Sequence, residues 1–185
     1  MNRHETILRR EDSLLLVIDY QQRLVDVMPR KESVTGEIMR LIQGMKKLNV
    51  PILATEQYPQ GLGPTVASLA EMLDPSEILS KMTFSCCGLA DFNTRLKSLK
   101  RRQIVVTGIE THVCVMQTVL DLLANGYQAH VPVGAVCSRA DANRDNALAR
   151  MEKAGAVITN LESVLFELLV EAGTDAFKVV RKLIV

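Results

Sequence analysis

Short apolar runs alternate with longer stretches of helical spacing along the chain. Leu14 to Ile18 is an unbroken apolar run that stops at Asp19. Val34, Ile38, Leu41, Ile42, Met45 and Leu48 then recur on one helical face, which predicts a helix over 34–48. Pro51 opens a short strand, Ile52 to Thr55. The segment TEQYPQGLGPT, from Thr55 to Thr65, is rich in Gly and Pro and reads as an ordered loop, with Thr65 capping a short helix that runs to Met72. Ile78 and Leu79 form a third strand that leads into Lys81. Residues 90–99 read as a helix with Phe92, Leu96 and Leu99 inward, and Ile104 to Thr107 as a fourth strand ended by Gly108. A helix follows from about His112 to Ala124, with Gly126 placed as a C-cap glycine. Gln128 to Val131 is the fifth strand, 143–154 a helix closed by Gly155, and Ala156 to Thr159 the sixth strand. Helices around 161–170 and 174–183 finish the pattern.

Strands this apolar are buried on both faces, as in a parallel sheet covered by helices. Regular β–α alternation then predicts a three-layer α/β/α fold with right-handed crossovers. No repeat or linker interrupts it, so residues 1–185 read as a single domain. In such folds the functional site lies beyond the carboxyl ends of the strands. That rule singles out Asp19, Thr55 to Gln57, Lys81 and the segment 108–114 among the polar groups of the chain.

Charge narrows the partners. There are 22 basic and 21 acidic side chains, a formal net charge of +1, which carries no bulk signal for nucleic acid or an anionic membrane. The basic clusters Arg9–Arg10 and Lys100–Arg102 each flank a strand and read as solvated turns. No apolar stretch reaches the roughly 18 residues that a membrane span needs. The opening MNRHETILRR lacks the apolar run of a signal peptide, so a reducing, cytoplasmic setting is expected for the four cysteines, Cys86, Cys87, Cys114 and Cys137. There is no CxxC pair and no His pair at helical spacing, so neither a metal nor a cofactor is expected.

Three residues carry the candidate chemistry. Asp19 follows five apolar residues, and a carboxylate there is costly to bury unless something pairs it. It reads either as a turn aspartate or as a general base. Lys81, at the end of the third strand, is a solvated lysine unless it pairs with Asp19, in which case it lowers the pKa of a nearby thiol. Cys114 lies in the first turn of a predicted helix, where the backbone favours an anion, and reads either as an inert core cysteine or as a nucleophile. Cys86, Cys87 and Cys137 lack that placement and read as structural. His112 is a minor candidate, and nothing pairs His130 with a thiol. There is no GxSxG elbow, dinucleotide-binding glycine motif or P-loop.

Four segments carry a resemblance: VIDYQ from Val17, TEQYPQGLG from Thr55, KMTFS from Lys81 and GIETHVCV from Gly108. Together they are similar to the isochorismatase-like superfamily of cysteine hydrolases, and most of all to its isochorismatase domain-containing orphan branch. The resemblance runs from about Ser13 to about Leu165. It implies a Rossmann-like, six-stranded parallel sheet in the order 3-2-1-4-5-6, and a catalytic triad of Asp19, Lys81 and Cys114. It also implies a cis peptide at Ile109–Glu110, with the amides of Glu110 and Cys114 as an oxyanion hole. The implied reaction is hydrolysis of an amide-type C–N bond through a thioester on Cys114, and the implied assembly is a homo-oligomer.

Two departures from the family pattern matter. Nicotinamidases of the superfamily bind zinc through an Asp-x-His and a further histidine, whereas here the corresponding segment reads Thr55–Glu56–Gln57. True isochorismatases lack the nucleophilic cysteine that is present here as Cys114. Gln21, Tyr58 and Phe84, from the loops after the first three strands, are the candidate substrate-binding residues, with packing as the alternative. A small-molecule substrate is expected. A non-catalytic protein, or a thiol-redox role with Cys86 or Cys87 as resolving partner, stand as the other readings. The helices after residue 160 either cover the sheet or bury a subunit interface, together with the apolar tail that ends at Val185.

Overall fold

The computed structural model describes residues 3–184. Met1, Asn2 and Val185 lie outside the described residues. Seven strands form one sheet: β1 (Ser13–Ile18), β2 (Ile52–Gln57), β3 (Ile78–Lys81), β4 (Gln103–Ile109), β5 (Gln128–Pro132), β6 (Val136–Cys137) and β7 (Val157–Thr159). The order is β3-β2-β1-β4-β5-β7, with β6 beside β4 off that path, and every strand pairing is parallel. The helices are α1 (Gln22–Val25), α2 (Lys31–Lys47), α3 (Pro59–Leu62), α4 (Ala67–Ala70), α5 (Ala90–Leu99), α6 (Met116–Ala124), α7 (Asp141–Lys153), α8 (Leu161–Leu169) and α9 (Asp175–Arg181).

The two-residue period of the strands builds both cores. Leu14, Leu16 and Ile18 point to one side of the sheet, where they pack with Phe92 and Leu96 of α5, Val119 of α6 and Met151 of α7. Leu15 and Val17 point to the other, against Ile38, Leu41 and Ile42 of α2, Leu165 and Leu168 of α8, and Val180 of α9. This is the three-layer α/β/α arrangement that the alternation predicts. Each Leu or Ile fully buried this way contributes about 1.5–3 kcal/mol. Helices α8 and α9 thus cover the sheet, while Phe166, Val170 and Val179 stay exposed.

The structure differs from the expectation in four places. The sheet has a seventh strand, β6, which adds to β4 at Gly108 and Ile109; two residues are too few to produce a readable period. The strand in sixth place of the expected order is therefore β7. The second strand continues through Gln57, so Thr55 to Gln57 lies in the sheet, paired with Leu79 to Lys81, rather than in a loop. Thr65 caps nothing: α4 begins at Ala67, and both the amide and the hydroxyl of Thr65 donate to the Glu56 carboxylate, at 2.7 and 2.8 Å. A charged acceptor within reach wins over a helix end. The basic clusters are not merely solvated. Arg10 donates to the Leu168 and Leu169 carbonyls at the end of α8, and Arg101 to the carbonyls of Arg10 and Glu11.

His130 sits in the middle of β5, between Val105 of β4 and Val157 of β7, and is buried. Its Nε2 has no hydrogen-bond partner among the described residues. Burial lowers its pKa to about 4. The ring is therefore neutral in the fold, whereas in the unfolded chain it protonates near 6.5. Acid thus favours unfolding, and the linkage removes about 3 kcal/mol as pH falls from about 6.5 to about 4. Urea unfolding at pH 7 and at pH 4.5 should show a smaller loss in His130→Phe than in wild type. Equal losses would remove His130 as the cause.

Candidate active site

Three strand ends converge on one buried point. β1 ends at Ile18, which pairs with Thr55 of β2 on one side and Gly108 of β4 on the other. The next residue, Asp19, takes a left-handed conformation with φ of 50°, which leaves the ladder and which Asp tolerates better than most residues. Gly108 has φ of 112°, and a Cβ there would collide with the Ile18 carbonyl, so only glycine lets β4 approach β1 at this point. Register sets the third partner, because Lys81 of β3 lies opposite Gln57 of β2.

The side chains meet as an ion pair. Lys81 Nζ donates to Asp19 Oδ2 at 2.7 Å, and neither side chain has any exposed surface. The same ammonium donates to Gln57 Oε1 at 2.7 Å, to the Phe84 carbonyl at 3.0 Å and to the Thr83 carbonyl at 3.1 Å. The Thr55 hydroxyl donates to the other carboxylate oxygen, Asp19 Oδ1, at 2.7 Å. Each charge therefore has its opposite and polar neighbours in place of water.

Cys114 completes the cluster: it is buried, close enough to feel the charges of both Asp19 and Lys81. It lies in a single π-helical turn, Thr111–Val115, ahead of α6, where an ordinary α-helical start was expected. The Glu110 carbonyl accepts from both Val113 N–H at 3.1 Å and Val115 N–H at 3.3 Å. Such turns recur at functional positions. The Ile109–Glu110 peptide before it is cis. Thr118 ties the turn to the loop after β3: its hydroxyl donates to the Cys114 carbonyl at 2.7 Å and accepts from the Cys86 amide at 3.0 Å.

The thiol runs against the expectation drawn from its position. Burial first, and then the Asp19 carboxylate, raise the Cys114 pKa against the opposing pull of Lys81. The lysine's charge is already matched by Asp19, and desolvation of a thiolate outweighs a partial helix dipole. The resting site therefore holds a neutral thiol beside a carboxylate, not a preformed thiolate. Cys86, fully buried beside Thr55, is pushed up to about 12 for the same reason, and Cys87 to about 11 by burial.

The remaining candidates separate. Gln21 is buried, with its amide committed to the backbone: Nε2 donates to the Gln57 and Gly63 carbonyls, and Oε1 accepts from the Gln57 amide. It fastens the loops rather than facing a ligand. Tyr58 and Phe84 are exposed; the Tyr58 amide donates to the Lys81 carbonyl at 2.9 Å, and the Phe84 carbonyl accepts from Lys81 Nζ. The Glu110 carboxylate accepts from Arg139 Nε at 3.1 Å. His112 Nδ1 lies 3.0 Å from the Ser138 hydroxyl, turned to that residue and not to the Asp19–Cys114 contact. Sequence reasoning selected Thr55 and Gln57 by place but assigned them no role, and it missed Thr118, whose only signal is its position four residues after Cys114.

Comparison with known proteins shows the family. The family model described as Isochorismatase domain matches residues 13–163. The chain belongs to the isochorismatase family. It is 38% identical over 178 residues to isochorismatase domain-containing protein 2 of Xenopus laevis, covering 96% of this chain and 85% of that one. Among solved structures it is similar to the MAR1 ribonuclease of Caenorhabditis elegans, with a TM-score of 0.90, 38% identity, and coverage of 96% and 91% of the two chains. It is also similar to YcaC of Pseudomonas aeruginosa, solved with hexane-2,5-diol and covalent acrylamide, with a TM-score of 0.88, 25% identity, and coverage of 97% and 92%. The residues that the family model spans hold β1 through α7 and β7, and with them the whole Asp19–Lys81–Cys114 cluster.

A buried pair is worth most as a pair. Lys81→Met leaves Asp19 buried without a counter-charge, and Asp19→Asn does the same to Lys81. Each should lower unfolding stability by about 3–5 kcal/mol. The double variant should lose less than the sum of the two, as measured by urea unfolding in a double-mutant cycle. Simple additivity would mean that the two charges do not depend on each other.

Proposed function

We propose that this chain is a cysteine hydrolase that cleaves the C–N bond of a small amide through a thioester, with Asp19, Lys81 and Cys114 as its catalytic residues. One observation carries the reading: Cys114 is buried beside a carboxylate that is itself held by a buried ammonium and a hydroxyl. That is a nucleophile, its base and the group that orients the base.

The steps follow from the protonation states. Asp19 takes the proton from the Cys114 thiol as sulfur attacks the carbonyl carbon, and the carbonyl electrons move onto oxygen. The amides of Glu110 and Cys114 stabilise that oxyanion. The intermediate collapses, the C–N bond breaks, and Asp19 gives its proton to the leaving amine. Asp19 then takes a proton from water as it attacks the thioester, and the Cys114 sulfur leaves and recovers the proton. Because the resting thiol is neutral, the proton that leaves sulfur is held on Asp19 until the amine takes it, and Lys81 stays beside Asp19 throughout.

Acrylamide alkylates thiolates, so the covalent acrylamide in YcaC of Pseudomonas aeruginosa supports a thiol nucleophile on this fold. The ribonuclease named for the Caenorhabditis elegans protein is not favoured here, since a phosphodiester calls for unmatched cations at the reacting atom, and Lys81 is matched by Asp19. Tyr58 and Phe84, exposed and joined through their backbones to Lys81, are the side chains we assign to substrate binding, with Gln21 shaping their loops. Four cysteines that are all unpaired support a cytoplasmic location. The exposed Phe166, Val170 and Val179 support a homo-oligomer.

Cys114→Ser tests the reading. A panel of small primary amides assayed for ammonia should include one that wild type hydrolyses and the variant turns over about a thousandfold more slowly or worse. Acrylamide should label Cys114 in peptide maps of wild type. Hydrolysis that survives in Cys114→Ser would sink the mechanism.

A further inference from the structure

Gln57 touches the ammonium directly, yet the reaction above gives it no part. Its side chain is held at both ends: Oε1 accepts from Lys81 Nζ at 2.7 Å, and Nε2 donates to the Met82 carbonyl at 2.8 Å. Lys81 can only donate and a carbonyl can only accept, so the orientation of the amide is determined. Its backbone is held as well, by Gln21 Oε1 on the Gln57 amide at 2.8 Å and Gln21 Nε2 on the Gln57 carbonyl at 3.0 Å. The residue is buried and sits at the one register position that faces Lys81 across β2 and β3.

We propose that Gln57 is a positioning residue for this site: it presents a fixed, neutral acceptor that holds Lys81 against Asp19 and leaves the lysine's positive charge available to the thiolate that forms at Cys114. The inference rests on the cysteine hydrolase reading and adds a residue to it.

Charge counting shows why neutrality matters. The acceptors around Lys81 Nζ are one carboxylate, Asp19, and three uncharged oxygens, from Gln57, Thr83 and Phe84. Asp19 and Lys81 together are neutral. When the Cys114 proton moves to Asp19, the negative charge moves to sulfur and the total is unchanged. A second carboxylate at position 57 would put that total at −1 and oppose the step. An apolar residue there would leave the Met82 carbonyl without its donor and remove one of the four oxygens that hold the ammonium beside Asp19. Glutamine supplies the acceptor, the donor and the absence of charge together.

The test is the rate of iodoacetamide alkylation at Cys114 across pH 6.5 to 9.5, followed by peptide mass spectrometry in wild type, Gln57→Glu and Gln57→Met. The titratable groups around this thiol are Asp19 at the end of β1, Lys81 from β3 and Cys86 from the loop after β3, while Glu110 and His112 on its own turn are directed to Arg139 and Ser138. The expected result is a profile displaced upward in Gln57→Glu, seen as a rate at pH 8 lower by about tenfold, the equivalent of one pKa unit. Gln57→Met should be slowed as well, with Cys137 reacting alike in all three proteins as the internal reference. A packing role alone would lower the thermal midpoint without moving the profile. If both variants fold, as judged by circular dichroism, and alkylate Cys114 as wild type does, the proposal is overturned while the cysteine hydrolase reading stands. If only Gln57→Met folds, its profile decides in the same way. If Cys114→Ser hydrolyses an amide as fast as wild type does, both readings fall.

Discussion

Asp19 and Lys81 stand 2.7 Å apart with no exposed surface on either side chain. Removing two charges from water is expensive, and the attraction between them offsets that cost only when the remaining hydrogen-bonding positions are filled. The surrounding structure fills them. Thr55 supplies a hydroxyl to the carboxylate, while Gln57, Thr83 and Phe84 supply oxygens to the ammonium. Every one of these comes from β2 or from β3 and the loop that follows it, so the strand order and its register are the conditions under which the pair can exist.

The same requirement explains the local irregularities. Strand β1 breaks into a left-handed residue at Asp19, the neighbouring position of β4 has to be glycine, and the helix that carries Cys114 starts with a π turn rather than an α turn. Each departure lies within one shell of the ion pair. Away from it, the sheet and helices follow ordinary rules of alternation and amphipathic packing. Thr118 links the two halves, because it holds the loop that cradles Lys81 and the turn that carries Cys114 with one hydroxyl.

The electrostatic outcome belongs to the assembly and not to any residue. A cysteine at the start of a helix, near a lysine, has the outward features of a depressed pKa. Here burial and Asp19 move it the other way. That arrangement keeps the resting thiol protonated.

The sequence by itself determined the alternation of strands and helices, the faces that pack, and the polar residues that stand at the strand ends. Apolar runs such as Leu14 to Ile18 and the stripe from Val34 to Met45 are legible because hydrophobic burial is local in sequence and periodic. The motifs around Asp19, Lys81 and Cys114 are legible because polar residues that end apolar strand runs stand out from the pattern. What the tertiary structure decided was everything that depends on which strands lie side by side. The pairing of Gln57 with Lys81, the continuation of β2 into what read as a loop, the two-residue β6, the binding of Thr65 to Glu56 and the raised thiol pKa all arise from contacts between segments far apart in the chain. Hydrogen bonds and desolvation act over a few ångströms in space, and distance along the chain does not report that proximity.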